Sequence, residues 1–158
     1  MKKEKLVEKQ GELVYQEIER QCEKELDLIL VNLAKTFSKI EAFGKNLRQG
    51  LVSSGEEASK LLMESTGHWE RLNIVCITLD TYKTKKELVF FNTKRMELEK
   101  AGEKVTATVL EREASDSVMD VRRVRNIVEA YRDNADKNIM SCQSLLKYLS
   151  DNYKRIEK

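Results

Sequence analysis

Few side chains in this chain could carry out chemistry. Histidine occurs once among 158 residues, as His68, so a general base or a multi-histidine metal site would have to be built almost wholly from carboxylates. The Glu-x-x-His pairs of helical di-iron bundles are absent, and so are the glycine-rich phosphate-binding signatures GxxxxGK[S/T] and GxGxxG. The sequence therefore predicts a protein that is not an enzyme, with no metal site, no cofactor and no identifiable small-molecule substrate.

The remaining reactive residues favour structural roles. His68 lies beside Trp69, which would suit a small ligand pocket or a pH-sensitive contact, but a half-exposed histidine at a helix kink is the favoured interpretation. Cys22, Cys76 and Cys142 show no C-x-x-C spacing. We expect them to be reduced thiols that fill the core as small apolar side chains.

Two clusters of basic residues could contact phosphate groups. They are Lys83, Lys85 and Lys86 in the first cluster, and Arg122, Arg123 and Arg125 in the second. Acidic residues are interspersed with both, and 29 Lys plus Arg against 27 Asp plus Glu give a net charge of only +2. An ion-paired surface is the favoured interpretation of this basic patch. Nucleic acid is not favoured as a partner, and a membrane surface stays open as an alternative.

The elements that carry these residues are predicted to be long helices. Proline is absent, and apolar residues recur every three or four positions almost from end to end. We predict an all-α fold: a single domain of residues 1–158 that forms an elongated antiparallel three-helix bundle with an up-down-up path and coiled-coil-like packing. The helices are expected at about 3–52, 56–112 and 116–157. The second helix could kink or break at two places, at Ser65–His68 or at Gly102 with the threonines at 106 and 108, which would give four helices.

Turn signals place the two chain reversals. Ser54 and Glu57 form a predicted capping box that opens the second helix after Gly50. Ser117 and Asp120 suggest a second capping box, with the chain reversing near Ser115. The third helix carries a seam of residues spaced by seven: Val121, Val128, Ala135, Cys142, Leu149 and Ile156.

Folding the chain at these two turns leaves a surplus of apolar side chains. It sets Leu26–Leu33, Leu72–Leu79 and Leu145–Leu149 at the same height. Several apolar residues there point away from a narrow three-helix seam, and monomers seldom expose a patch of that size. The predicted partner-binding residues of this apolar belt are Leu28, Leu30, Val31, Ile74 and Ile77.

These features favour a non-catalytic protein–protein interaction module of the adaptor, tether, scaffold or chaperone type, acting through the apolar belt as a homodimer or with another protein. The alternative is a membrane-surface or curvature-binding bundle, because the long three-helix layout is similar in architecture to BAR-type domains. The chain is short for that family and no motif matches. The N-terminus lacks an apolar signal region, and the apolar stretches are much shorter than the roughly 20 residues that span a bilayer, so a cytoplasmic location is expected.

Overall fold

The computed structural model describes residue 12, residues 16–104 and residues 106–156, and in that part of the chain it contains helices and no strands. The predicted all-α class is confirmed. Five helices follow one another: α1 (16–24), α2 (Asp27–Arg48), α3 (Gly55–Ala101), α4 (Ala107–Asp116) and α5 (Met119–Ile156). The predicted start of the first helix at residue 3 lies outside the described residues.

The predicted first helix is interrupted once. Residues 25 and 26 separate α1 from α2, and the amides of Leu28 and Ile29 bond to carbonyl oxygens only three residues earlier, at 3.1 and 3.2 Å. Asp27 then occupies the first turn of α2, where a carboxylate interacts favourably with the exposed amides. The prediction of one uninterrupted helix over 3–52 is therefore wrong at this point.

Helices α2 and α3 end in the same way, at a glycine in the left-handed region. Gly50 has φ +65° and Gly102 has φ +72°. The amide after each glycine bonds to the carbonyl five residues before it, at 3.0 Å after Gly50 and at 3.1 Å after Gly102. This closure satisfies helix carbonyls that would otherwise lack partners, and glycine adopts its backbone conformation without strain. The predicted helix over 56–112 consequently ends at Ala101, and the break foreseen at Gly102 is present. The break also foreseen over 65–68 does not occur, because α3 continues through these residues.

One predicted capping box is confirmed and the other is wrong. The Glu57 amide donates to Ser54 Oγ at 3.1 Å, and Glu57 Oε2 accepts from the Ser54 amide at 3.4 Å. Ser117, by contrast, has a right-handed helical backbone, and its hydroxyl donates to the Ala114 carbonyl at 2.6 Å. Its side chain therefore bonds backwards to α4 and does not cap α5.

The chain divides into two compact units. Unit 1 contains Met1–Ile29 and Val75–Asn126, and unit 2 contains Leu30–Ile74 and Ile127–Lys158. The boundaries fall inside α2, α3 and α5.

In unit 1, α5 runs antiparallel to α3. Arg122 Nη2 pairs with Glu87 at 2.6 Å and Arg125 Nε pairs with Asp80 at 3.2 Å, so later positions in α5 meet earlier positions in α3. Helix α4 already lines grooves with α3, through Leu110 among others. The chain therefore reverses at residues 102–106, and the predicted reversal near Ser115 is wrong. The buried apolar core of this unit contains Ile18, Cys22, Ile29, Val75, Cys76, Leu79, Tyr82, Leu110, Ala114, Val118, Val121 and Val124.

In unit 2, α5 runs in the same direction as α2. The Tyr131 ring stacks on Phe37, and Asn138 Nδ2 donates to the Ile40 carbonyl at 3.0 Å, so both helices advance together. The buried apolar core of this unit contains Leu33, Phe37, Ile40, Val52, Ala58, Leu72, Val128, Ala135 and Cys142. The first four positions of the predicted seven-residue seam, from Val121 to Cys142, are thus buried in one unit or the other.

The same contacts correct the predicted alignment of the apolar stretches. Asn138 lies beside Ile40, and Leu145–Leu149 follow Asn138 by two to three turns of α5. They therefore lie past Ile40, and the expectation that they stand level with Leu33 is wrong. The error follows from the misplaced reversal. The prediction continued the second helix to residue 112, whereas in the structure the chain has already reversed before α4 begins at Ala107.

Candidate interaction surface

The predicted partner-binding residues are mostly exposed. The exposed fractions are 38% for Leu28, 66% for Val31, 44% for Ile74 and 56% for Ile77, and Leu30 is half-buried. Leu28 and Ile77 belong to unit 1, whereas Leu30, Val31 and Ile74 belong to unit 2. The structure thus leaves four of the five accessible and divides the set between the units.

In unit 1, helix α3 has an apolar face opposite its core face. Val75, Leu79 and Tyr82 are buried, whereas Ile77 and Leu88 are 56% and 60% exposed. A helix turn contains 3.6 residues, so positions 77, 81, 84 and 88 share one side. We call Ile77, Thr81, Thr84 and Leu88 the α3 outer face; all four are exposed.

The sequence interpretation missed Leu88 as a surface residue. The signal was present, because Leu88 follows Ile77 by eleven residues, which is close to three full turns. Further exposed apolar residues that it missed are Val89, Met96, Val109 and Met119 in unit 1, and Leu51, Met63, Met140 and Tyr148 in unit 2.

The two threonines of the α3 outer face bond to their own helix. Thr81 Oγ1 donates to the Ile77 carbonyl and Thr84 Oγ1 donates to the Asp80 carbonyl, each at 2.9 Å. These back-bonds satisfy the hydroxyl donors, so another surface could cover the threonines without leaving a donor unpaired.

A groove lies between α3 and α4 next to the α3 outer face. The residues that line it are Thr84, Glu87, Leu88, Phe91, Glu111, Ala114 and Ser115. Leu88, Phe91 and Ala114 give its floor an apolar character, and the two glutamates stand on opposite helices. The groove is open to one side, which suits a protruding apolar side chain better than an enclosed small molecule.

The six predicted basic residues all contact neighbours inside unit 1. The ion pairs are Lys83–Asp80 (3.5 Å), Lys85–Glu19 (2.7 Å), Arg122–Glu87 (2.6 Å), Arg123–Asp27 (2.7 Å) and Arg125–Asp80 (3.2 Å). The Lys86 ammonium lies 5.4 Å from the centre of the Tyr82 ring, within the range of a cation–π contact. The basic residues are thus brought together, but carboxylates lie among them.

Arg122 bonds to residues of two other helices. Its Nη2 donates to Ser115 Oγ at 2.5 Å as well as to Glu87. One guanidinium therefore links α5 to both α3 and α4, because its several donors project in a fixed plane. For Arg123, the hydrogen bond and the charge of Asp27 raise the pKa of the guanidinium above its ordinary value, so this group stays cationic.

His68 is enclosed on one side within unit 2. Its ring centre lies 6.1 Å from that of Phe43, and its Nε2 is buried without a hydrogen-bond partner among the described residues. Burial, followed by the charge of Lys39, lowers the pKa of His68 below its ordinary value of 6.5, while Glu64 opposes the shift. The lowered pKa keeps this imidazole neutral at pH 7.

The three cysteines are core residues. Cys22, Cys76 and Cys142 are reduced thiols and all are buried. Burial raises the pKa of Cys22 to about 11 and raises that of Cys142, so both stay protonated near neutral pH, where a thiol is a weak nucleophile. Ser65 is buried, and its Oγ has no hydrogen-bond partner among the residues that the structure describes, so no base there activates it.

Metal and membrane-spanning features are absent from the described part of the chain. No group of three or more His, Cys, Asp and Glu side chains there is placed to hold a metal ion. None of the helices within the described ranges combines the length and the apolar character needed to cross a bilayer.

No protein-family model, curated protein or solved structure matches this chain.

Proposed function

We propose that this chain is a non-catalytic helical module for protein–protein interaction, of the scaffold, adaptor or tether type, that associates through exposed apolar residues of its helices, with itself as the first partner. The observation that carries the proposal is the α3 outer face, where Ile77 and Leu88 are exposed on the side of the helix opposite the buried Val75, Leu79 and Tyr82. A helix with apolar side chains on two opposite sides is stabilised when both sides are buried.

Burial of the α3 outer face contributes favourable free energy to association. Fully burying one Ile or Leu side chain contributes about 1.5–3 kcal/mol, and the exposed halves of Ile77 and Leu88 supply part of that on each copy. This contribution offsets part of the entropy cost of association.

The alternative, binding to an anionic membrane surface, receives less support. It needs basic side chains that present unbalanced positive charge, and five of the six predicted residues pair with carboxylates that lie 2.6–3.5 Å away.

Sedimentation velocity over a concentration range tests the proposal. We expect the parent chain to shift from monomer to dimer with rising concentration, and Ile77→Glu to abolish the shift while helicity measured by circular dichroism is retained. Gln143→Glu is the control, because Gln143 is polar and exposed on α5, so its substitution adds the same charge without removing apolar surface and should leave association unchanged. A parent that remains monomeric throughout, or equal behaviour of the two variants, would contradict the proposal.

We also propose the finer architecture, in which the chain follows an up-down-up path of three segments with α4 and α5 together forming the third. The opposite directions of α3 and α5 in unit 1 and the common direction of α2 and α5 in unit 2 support it.

A further inference from the structure

A second groove between α3 and α4 continues the one described beside the α3 outer face. It shares Phe91 with that groove and adds Arg95, Leu98, Glu99, Glu103, Ala107 and Leu110. The lining positions 84, 88, 91, 95 and 98 lie on one side of α3, because they are spaced by three or four residues. We call the two grooves together the α3–α4 groove. It lies wholly within unit 1 and follows α3 for about four helix turns.

The floor of the α3–α4 groove is apolar. On α3, Leu88 is exposed and Phe91 and Leu98 are half-buried where they line it. On α4, Leu110 and Ala114 are buried where they line it. An apolar strip of this length between two helices fits a third, amphipathic helix, whose apolar side chains recur at spacings of three, four and seven residues.

The rim of the α3–α4 groove carries an excess of negative charge. Its charged lining residues are Glu87, Glu99, Glu103, Glu111 and Arg95. Glu87 is neutralised by an arginine of α5 at 2.6 Å, and Glu99 is neutralised by Arg95 at 2.8 Å. Glu103 and Glu111 are exposed, and their carboxylates pair with no residue that the structure describes. Two carboxylates are therefore available to cations of a bound partner.

We propose that the α3–α4 groove binds a basic amphipathic helix of another protein, one that carries lysine or arginine beside an apolar stripe. The apolar stripe covers Leu88 and Phe91, and the cations pair with Glu103 and Glu111. The same two carboxylates repel an anionic lipid surface. This inference goes beyond the proposed function, because the partner is a different protein and self-association is not required for its binding.

Two model peptides of leucine and lysine test the chemistry of the partner. The first places its leucines along one side of a helix, and the second has the same composition with its leucines spread around the helix. Fluorescence anisotropy should show the parent chain binding the first peptide at least about tenfold more tightly, because only that peptide matches an apolar strip with charges at its rim. About 0.5 M NaCl should weaken the binding, since pairs with exposed carboxylates are screened.

Matched variants of α4 show whether the first peptide lies in the groove. Ala107→Lys puts a cation into the groove, whereas Thr108→Lys adds the same charge at the next exposed position, which does not line it. Only Ala107→Lys should weaken binding, by about tenfold, because it repels the peptide and fills the floor. Glu111→Gln should weaken binding about threefold, and Glu113→Gln, on the opposite side of α4, should not. Circular dichroism checks that each variant keeps its helicity.

The outcomes separate this inference from the proposed function. Equal affinity for the two peptides overturns the inference, and so do equal losses of binding in Ala107→Lys and Thr108→Lys. A parent chain that dimerises but does not bind the first peptide overturns the inference and leaves the proposed function standing. A parent chain that stays monomeric and binds the first peptide in the groove upholds the inference, although self-association is then contradicted.

Discussion

The ring of Tyr131 stacks on the ring of Phe37, with centroids 3.9 Å apart and planes inclined by 16°, and this contact joins α5 to α2 in unit 2. The Tyr131 hydroxyl donates to Glu41 Oε1 at 2.6 Å. That hydrogen bond is the main reason that the pKa of Tyr131 is raised above its ordinary value of 10.0. The aromatic stack and the hydrogen bond are separable contributions to stability.

Substitution at Tyr131 should distinguish them. Tyr131→Phe keeps the stack and loses an exposed hydrogen bond, so we expect the free energy of unfolding to fall by about 0.5 kcal/mol. Tyr131→Ala loses the ring as well and should cost about 1–3 kcal/mol. Urea unfolding measures both, with Tyr148→Phe as the control, since Tyr148 is 63% exposed. Equal effects of the Phe and Ala variants would refute a contribution from the stack.

Two glycines inside helices should respond differently to alanine. At Gly67 an added Cβ would meet nothing within 4 Å, so Gly67→Ala should raise the free energy of unfolding by about 0.5–1 kcal/mol through helix propensity. At Gly44 the added Cβ would lie 3.0 Å from Asn138 Oδ1. Relief of that contact moves the amide that donates to the Ile40 carbonyl.

We therefore expect Gly44→Ala to give no gain or a net loss, measured as the difference in the urea midpoint between the two variants. A gain at position 44 equal to that at position 67 would show that Asn138 moves without cost, and that its buried hydrogen bond does not fix the position of α5 on α2.

His68 should make stability depend on pH near neutrality. Its pKa is lowered in the folded chain, mainly by burial, so between the unfolded value of 6.5 and the folded value the unfolded chain binds more protons. The free energy of unfolding should consequently be greatest above pH 6.5 and fall as the pH drops through the folded pKa. Denaturant titrations at pH 7.5, 6.5 and 5.5, as steps chosen around the ordinary histidine pKa of about 6.5, would measure this slope. His68→Gln should flatten it, and an unchanged slope in that variant would assign the effect to other groups.

The paired basic residues predict weak binding to anionic vesicles. In co-sedimentation with phosphatidylserine-containing vesicles, the parent chain should bind weakly. Added salt should therefore change the bound fraction little. The double substitution Glu19→Gln, Asp27→Asn removes the carboxylates that contact Lys85 and Arg123, and it should increase binding at low ionic strength. Strong, salt-reversible binding by the parent itself would favour the membrane alternative over the proposed function.

Features that depend on residues close together in the sequence could be predicted. The end of α2 at a glycine and the start of α3 at Ser54 and Glu57 depend on residues within one or two turns, and the structure confirms both. The buried seam from Val121 to Cys142 was equally readable, because a seven-residue spacing keeps one side of a helix on its neighbour.

Features that depend on a choice between two local signals were not predictable. Gly102 and Ser115 both looked like interruptions, but only Gly102 adopts a positive φ and reverses the chain, whereas the junction after Asp116 stays close to helical geometry. The stack of Tyr131 on Phe37 depends on that choice, since moving the reversal shifts α5 along α2. The exposure of Ile77 was predicted by its position on the helix, but that of Leu88 was overlooked because it lies beyond the richest apolar stretch.

The glycine closures after α2 and α3 also bear on the order in which the protein assembles. Each reversal needs only residues that are close in sequence. The turns at Gly50 and Gly102 can therefore form early, at a small cost in loop-closure entropy. The contacts of α5 with α2 join residues as far apart as Ile40 and Asn138 and carry a larger loop entropy cost. Docking of α5 is therefore expected to limit the folding rate, and substitutions at Asn138 should slow refolding more than substitutions at either glycine.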